Sequence, residues 1–161
     1  MELSLDELLT TTPLMQARPE VLVPTDRRIS WVHSSEIYDI EPLLAGGEVL
    51  LTTGLGLVGA NDAALTRYTE AIAARGAAAL VLELGRTFVR PPEALVDACA
   101  RTGLGLVVLH AVVAFVRIAR VANERILGHE AGGLRRADAL ARGLTDALLH
   151  RRGIQAMVAT I

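Results

Sequence analysis

Between Ile29 and Gly54 the chain reads ISWVHSSEIYDIEPLLAGGEVLLTTG, and this stretch restricts the fold more than any other. Two short apolar runs, Ile29–His33 and Val49–Leu51, pass directly into small polar groups. The first group is His33-Ser34-Ser35-Glu36 and the second is Thr52-Thr53-Gly54. Short, uninterrupted apolar runs mark strands buried on both faces, as in a parallel sheet covered by helices. In open sheets of that kind, ligands bind in the crevice beyond the carboxyl ends of the strands. Two polar strand ends this close in sequence therefore predict one shared pocket.

The rest of the chain extends the alternation. Ser4 with Glu7 forms a capping box for a short helix whose apolar face is Leu5, Leu8 and Leu9, and Pro13 ends it. Glu20–Val23 reads as an edge strand closed by Pro24, and Ile40–Leu44 as one or two helical turns stopped by Gly46-Gly47. Glu48–Thr52 is the second core strand. Asn61 or Asp62 caps a helix that runs to Arg75 with Ala64, Leu65, Tyr68, Ala71 and Ile72 at helical spacing. Ala78–Leu84 is a third apolar strand; Pro91-Pro92 opens the helix Glu93–Arg101, and Leu104–Leu109 is a further strand. Connections too long for hairpins imply crossovers, so the expected fold is α/β with a mostly parallel sheet flanked by helices.

Composition fits that reading. The 161 residues are 52% hydrophobic but only 3% aromatic, so the core must be built from Leu, Val, Ile and Ala. All 16 basic residues are Arg, and the net charge is −2. Residues 1–110 carry 8 Arg against 14 acids, and residues 111–161 carry 8 Arg against 4 acids. The resulting mild basic excess of the tail reads as a solvated helix face, not a nucleic-acid surface. Cys99 is the only cysteine, which excludes an internal disulfide; in its amphipathic helix it reads as a small buried hydrophobe. No stretch has a signal-peptide pattern or the roughly 18 uninterrupted apolar residues of a membrane span, so a soluble cytoplasmic protein is expected.

From Val112 the pattern changes to helix. Leu127, Leu134, Ala137, Ala141, Leu144 and Leu148 follow heptad spacing, which fits a helix packed on its own domain or, the favoured reading because nothing follows to cover its narrow face, a helix that pairs with a second copy. Gly132-Gly133 interrupts it, and two glycines cost roughly 2 kcal/mol of helix propensity against Ala, so a kink or break there is open. The expected division is an α/β sensing domain over 1–111, a helical linker over 112–152, and the start of a following domain over 153–161.

The chemical motifs are few. Gly54-Leu55-Gly56-Leu57-Val58-Gly59 is a literal G-x-G-x-x-G between a strand and a helix, the context of a dinucleotide fingerprint. Its last glycine falls in the loop before the Asn61-Asp62 cap, where the true motif places it in the first helical turn, and Asp62 sets a carboxylate where a pyrophosphate should lie. A phosphate loop is excluded because no Lys-Ser or Lys-Thr follows. Neighbouring strand residues point to opposite faces, so His33 and Ser34 are not a nucleophile–base pair. The other histidines lack metal-ligand spacing, no carboxylate pair stands out, and a non-enzyme with no cofactor, metal or catalytic residue is expected. Glu83-Leu84-Gly85-Arg86 ends the third strand either as a structural ion pair or as an anchor for a polar ligand. The predicted ligand site is thus His33, Ser34, Ser35, Glu36, Thr52, Thr53, Gly54, Glu83 and Arg86, for a small polar metabolite.

Three segments taken in order, WVHSSEI, LLAGGEVLLTTGLGL and ALVLELGR, resemble the N-terminal domain of the PucR family, the purine catabolism regulators and their relatives. The resemblance covers roughly residues 4–150. It implies a metabolite-sensing module of a bacterial transcription regulator, joined by a helical linker to a GAF-like domain and a C-terminal helix-turn-helix that binds DNA. The tail VANERILGHEAGGLRRADALARGLTDALLHRRG is similar to the family's linker, so the chain reads as the N-terminal part of a longer regulator. His110 and Ala114 stand where the family often has prolines, and Gly132-Gly133 departs from a usually stronger helix former. Purine itself is not carried over as a ligand. Two other readings compete: a ligand-free oligomerisation and interaction module, and a dinucleotide-binding enzyme fragment.

Overall fold

The computed structural model describes residues 2–158, with side chains described through residue 151. Its strands are β1 (Pro19–Val23), β2 (Trp31–Ser34), β3 (Glu48–Thr52), β4 (Ala79–Glu83) and β5 (Gly105–Leu109). Its helices are α1 (Leu5–Thr11), α2 (Asp62–Ala74), α3 (Glu93–Thr102) and α4 (Phe115–Val158). The five strands form one sheet in the order β1-β5-β4-β3-β2. β2 to β5 are parallel and β1 closes the far edge antiparallel to β5, so the expected α/β class holds.

The period-2 alternation of strand side chains sorts the core into two halves. Val32, Val49, Leu51, Val81, Val107 and Leu109 pack on one face with Leu8 and Leu14, and with Ile118, Ala122 and Ile126 from the start of α4. Leu50, Leu80, Leu82, Leu106 and Val108 pack on the other with Leu65 and Ile72 of α2 and Leu95 and Cys99 of α3. The result is three layers with every residue of β3, β4 and β5 buried, as continuous apolar runs require.

Several expected boundaries shift for local reasons. β2 begins at Trp31 instead of Ile29, because Ile29 is taken up by an isolated antiparallel bridge to Leu3. The Ile40–Leu44 segment makes a single 3-10 turn, Glu41–Leu43, within the one or two turns expected, with Pro42 in its first turn, where a missing N–H is tolerated. The capping box forms as expected, with Ser4 and Glu7 reciprocally bonded, and Asn61 is the cap of α2, accepting from the Ala64 amide at 2.9 Å. Glu48 is buried and accepts from the amides of Ala45 (2.6 Å) and Gly46 (2.9 Å), fixing the turn into β3. Arg27 ties the ends of two helices together, donating to the carbonyls of Ala73 (3.3 Å) in the last turn of α2, of Ala77 (2.7 Å) just beyond it and of Thr102 (2.8 Å) on α3. Cations are favoured at helix carboxyl ends, where carbonyls lack partners.

Two compact units appear: residues 2–126, and the helix from Leu127 onward. The expected boundary at 111/112 falls in the turn before α4, while packing in the α/β unit continues through Ile126. α4 runs unbroken through Gly132-Gly133, which settles the continuity that the two glycines left open. The backbone of residues 153–158 continues this helix; the remainder of the expected following domain, 159–161, lies outside the described residues. None of the described helices is long and apolar enough to cross a membrane.

Cys99 is fully buried, and burial pushes its thiol up from 9.0 to about 12. The folded state therefore keeps a proton that the unfolded chain releases near pH 9. This contribution is complete below that pH and is lost as pH rises toward the folded value. Urea midpoints should fall more steeply above about pH 9 for the natural chain than for Cys99→Ala. Equal slopes would show that the thiol stays un-ionised in both states.

Candidate functional site

β2, β3 and β4 lie side by side and parallel, so their carboxyl tips come together as the two polar clusters predict. His33 and Ser34 are the last residues of β2, Thr52 ends β3, and Glu83 ends β4. Ser35, Glu36, Thr53, Gly54 and Arg86 follow in the loops.

Glu36 organises this edge. Its carboxylate accepts from the Thr52 hydroxyl (2.8 Å), the Thr53 amide (2.6 Å), the Thr53 hydroxyl (2.9 Å) and the Leu55 amide (3.0 Å). The Thr52 hydroxyl in turn accepts from the Gly54 amide at 2.9 Å. Hydrogen bonds to an ionised acceptor are the strong ones, so the β2 loop is clasped to the loop after β3. Ser35 is also used locally, its hydroxyl accepting from the Ile37 amide at 3.2 Å.

The glycines after β3 have mechanical reasons that have nothing to do with a dinucleotide. Gly54 has φ +81°, and a Cβ there would lie 2.7 Å from the ring of Phe88. At Gly56 a Cβ would run into the backbone carbonyl of Glu36. Backbone thus passes against the chain's own backbone where a nucleotide fingerprint needs room for phosphate. Gly56→Ala should cost about 2 kcal/mol by forcing these loops apart. A thermal midpoint equal to that of the natural chain would show that the two loops separate freely.

The converging tips leave little room. The void bordered by Ser35, Glu36, Thr52, Gly56, Leu57 and Tyr68 is about 140 Å³ and admits no water-sized sphere. The strand order explains this. β2 to β5 stand in chain order, and the β2–β3 segment (Ile40, Leu44), α2 and α3 all pack on one face. Strand order never reverses along β2–β5, so no switch-point crevice opens among their tips.

Three predicted residues remain at the surface. Ser34 is exposed and His33 half-buried, and neither has a side-chain hydrogen bond among the described residues. Arg86 bonds the buried carboxylate of Glu83 through Nε at 3.1 Å while 63% of its side chain stays exposed. The ion pair is present, and the rest of the guanidinium is available.

Asn123, which the sequence reading missed, makes the most consequential contact. It lies on the first part of α4, beside the buried Ala122, and reaches the outer edge of β2. Its Oδ1 accepts from the Val32 amide (2.9 Å) and its Nδ2 donates to the Val32 carbonyl (2.7 Å). β2 is an edge strand, so these two groups have no neighbouring strand to pair with. One amide side chain completes the edge and ties α4 to the residue just before His33. An amide set next to the apolar positions Ile118, Ala122 and Ile126 is the sequence signal, because a polar group at a packed face must find a partner.

The residues expected to pair helices lie in the second unit. Leu127, Leu134, Ala137, Ala141, Leu144 and Leu148 are not buried within the chain, and Leu134 is 71% exposed.

A family model described as the purine catabolism regulatory protein-like family, PucR, matches residues 7–126. The chain belongs to the PucR family. The match ends at Ile126, the residue at which the α/β unit also ends. It supports a regulatory domain, as the three sequence segments imply. No curated protein matches the chain significantly. Among solved structures, the chain is similar to the CBS and DRTGG domains of the regulatory region of Clostridium perfringens pyrophosphatase, solved with its activator diadenosine tetraphosphate. That likeness has 11% identity and a TM-score of 0.49, covering 75% of this chain and 49% of the other. The chain spans about half the length of that structure, and a likeness this loose carries no ligand across.

Proposed function

We propose that this PucR-family chain is the effector-sensing part of a cytoplasmic transcription regulator. Its DNA-binding helix-turn-helix would lie in a C-terminal part beyond this sequence. The effector is a small polar metabolite met at the carboxyl edge of the sheet by His33, Ser34 and the free face of Arg86, next to the Glu36 clasp. No catalytic role is assigned to any residue, and no cofactor is needed. Two copies pair through Leu127, Leu134, Ala137, Ala141, Leu144 and Leu148, and the effector biases the arrangement of the paired helices.

The observation that carries this reading is the two-point contact of Asn123 with Val32. It makes the start of α4 part of the strand whose tip holds the polar cluster. A ligand that moves the tip must act on that contact or break it.

A thermal-shift screen of purine-pathway and other nitrogenous metabolites tests the reading. A ligand at 100 times its dissociation constant should add roughly 2.7 kcal/mol of stability. It should also change spin-label distances between paired tails; unchanged distances with a stabilising metabolite bound would end the effector reading. Leu134→Asp together with Leu144→Asp should convert the dimer to monomer by sedimentation. A natural chain already monomeric at micromolar concentration would contradict the pairing.

A second reading, a ligand-free interaction module, is favoured by the closed hydrogen bonding of the tips. It predicts that Arg86→Ala alters stability through Glu83 and leaves every metabolite response unchanged.

A further inference from the structure

A larger space opens on the flank of α2, away from the strand tips. It is a cleft of about 420 Å³ bordered by Tyr38, Asp39, Glu41, Pro42, Arg67 and Tyr68. That volume lies within the range of small-molecule pockets.

Its walls are rigid and aromatic. The rings of Tyr38 and Tyr68 have centroids 5.8 Å apart and are inclined at 32°. Tyr38 is pinned to α2 by its hydroxyl, which donates to the Ala64 carbonyl at 2.8 Å. Tyr68 is only 5% exposed, and its hydroxyl, which makes no hydrogen bond among the described residues, is not closed off from solvent. Burial, reinforced by the Glu36 carboxylate, pushes this phenol well above its ordinary range, so it is available as a donor.

The rim carries both signs of charge. Glu41 is already held by Arg75 at 2.8 Å. Arg67 and Asp39 are exposed, and neither makes an ion pair among the described residues. The free base suits a carboxylate, the free acid an ammonium, and the ring walls a planar apolar group.

The geometry points to this cleft as a binding site for a small aromatic zwitterion, of the chemical class of the free aromatic amino acids. The inference goes beyond the effector reading above: this seat is separate from the one at His33, Ser34 and Arg86 and takes its own chemical class. Tyr68 borders both the cleft and the narrow void beside Glu36, so an occupant would touch the wall that backs the clasp.

Titration of the isotopically labelled 161-residue chain with L-phenylalanine, phenethylamine and hydrocinnamate, followed by amide chemical shifts, tests it. L-phenylalanine should shift amides within residues 38–41 and 67–71 at millimolar concentration. Each single-charge analogue should bind about tenfold more weakly, as should L-phenylalanine to Arg67→Gln or Asp39→Asn. Both variants alter exposed side chains, and the spectrum itself reports whether they fold. Shifts absent at millimolar L-phenylalanine, scattered elsewhere, or unchanged in both variants would overturn the site. Spin-label distances along α4 are read separately. Cleft binding upholds the site whether or not they change; distances that respond to a metabolite while the cleft stays silent uphold the effector reading and overturn the site.

Discussion

Glu36→Ala should lower the melting temperature of this chain by about 10 °C, more than any other single change at the sheet's carboxyl edge. The carboxylate accepts four hydrogen bonds, two from amides and two from hydroxyls. Bonds to a charged acceptor contribute about 1.5–3 kcal/mol each, discounted here because the site is half-open to water. Removing the acceptor leaves the buried Thr52 hydroxyl and the Thr53 amide to find water in a loop that has little room for it. A net loss of about 3 kcal/mol follows, and a unit of this size shifts by roughly 3–5 °C per kcal/mol. Glu36→Gln should recover part of the loss, since one amide oxygen still accepts while the NH2 faces donors. A melting point within about 2 °C of the natural chain in Glu36→Ala would show that the clasp stabilises nothing.

Asn123→Ala should be nearly as damaging. Val32 is fully buried, and the substitution strands both its amide and its carbonyl at the edge of the sheet. An unsatisfied buried backbone group costs about 1–3 kcal/mol, so a loss of about 3 kcal/mol is expected. Asn123→Asp tests the geometry as well as the contact: the acid can accept from the Val32 amide but repels its carbonyl, and should fail to restore stability. Hydrogen exchange at the Val32 amide should accelerate in Asn123→Ala by at least tenfold relative to the neighbouring Leu50 amide. Equal protection of both amides would mean that the edge is closed by something other than Asn123.

The elements of this fold were legible because burial on both faces leaves an unmistakable mark. Val49–Leu51, Ala79–Leu82 and Leu106–Leu109 are apolar without interruption, and only a central strand needs that. The Ser4 box and the Asn61 cap were equally readable, since a cap and its partner lie within four residues. The site was legible only in outline. Which strands neighbour each other can be guessed from crossover length, but the direction in which they are laid down cannot. That direction decides whether a crevice exists. Here β2 to β5 advance the same way, and the donors expected to meet a ligand turn toward Glu36 instead. Asn123 lay beyond local reading for another reason: its partner is the backbone of Val32, 91 residues away, and main-chain groups carry no residue-specific signal.

The two contacts sit at opposite ends of one short segment. Glu36 holds the loop after β2 on one side, and Asn123 holds Val32 on the other. If the tip of β2 communicates with α4, as the regulatory reading requires, the two cannot be energetically independent. A double-mutant cycle in urea, comparing Glu36→Ala, Asn123→Ala and the pair with the natural chain, measures this directly. Residues coupled through one hydrogen-bond network or a shared backbone shift show interaction energies of about 0.5–3 kcal/mol, whereas independent sites add within about 0.3–0.5 kcal/mol. The structure predicts coupling of about 1 kcal/mol, with the pair losing less than the sum of the singles. Strict additivity would contradict it and leave Glu36 and Asn123 as two unrelated fastenings of the same sheet.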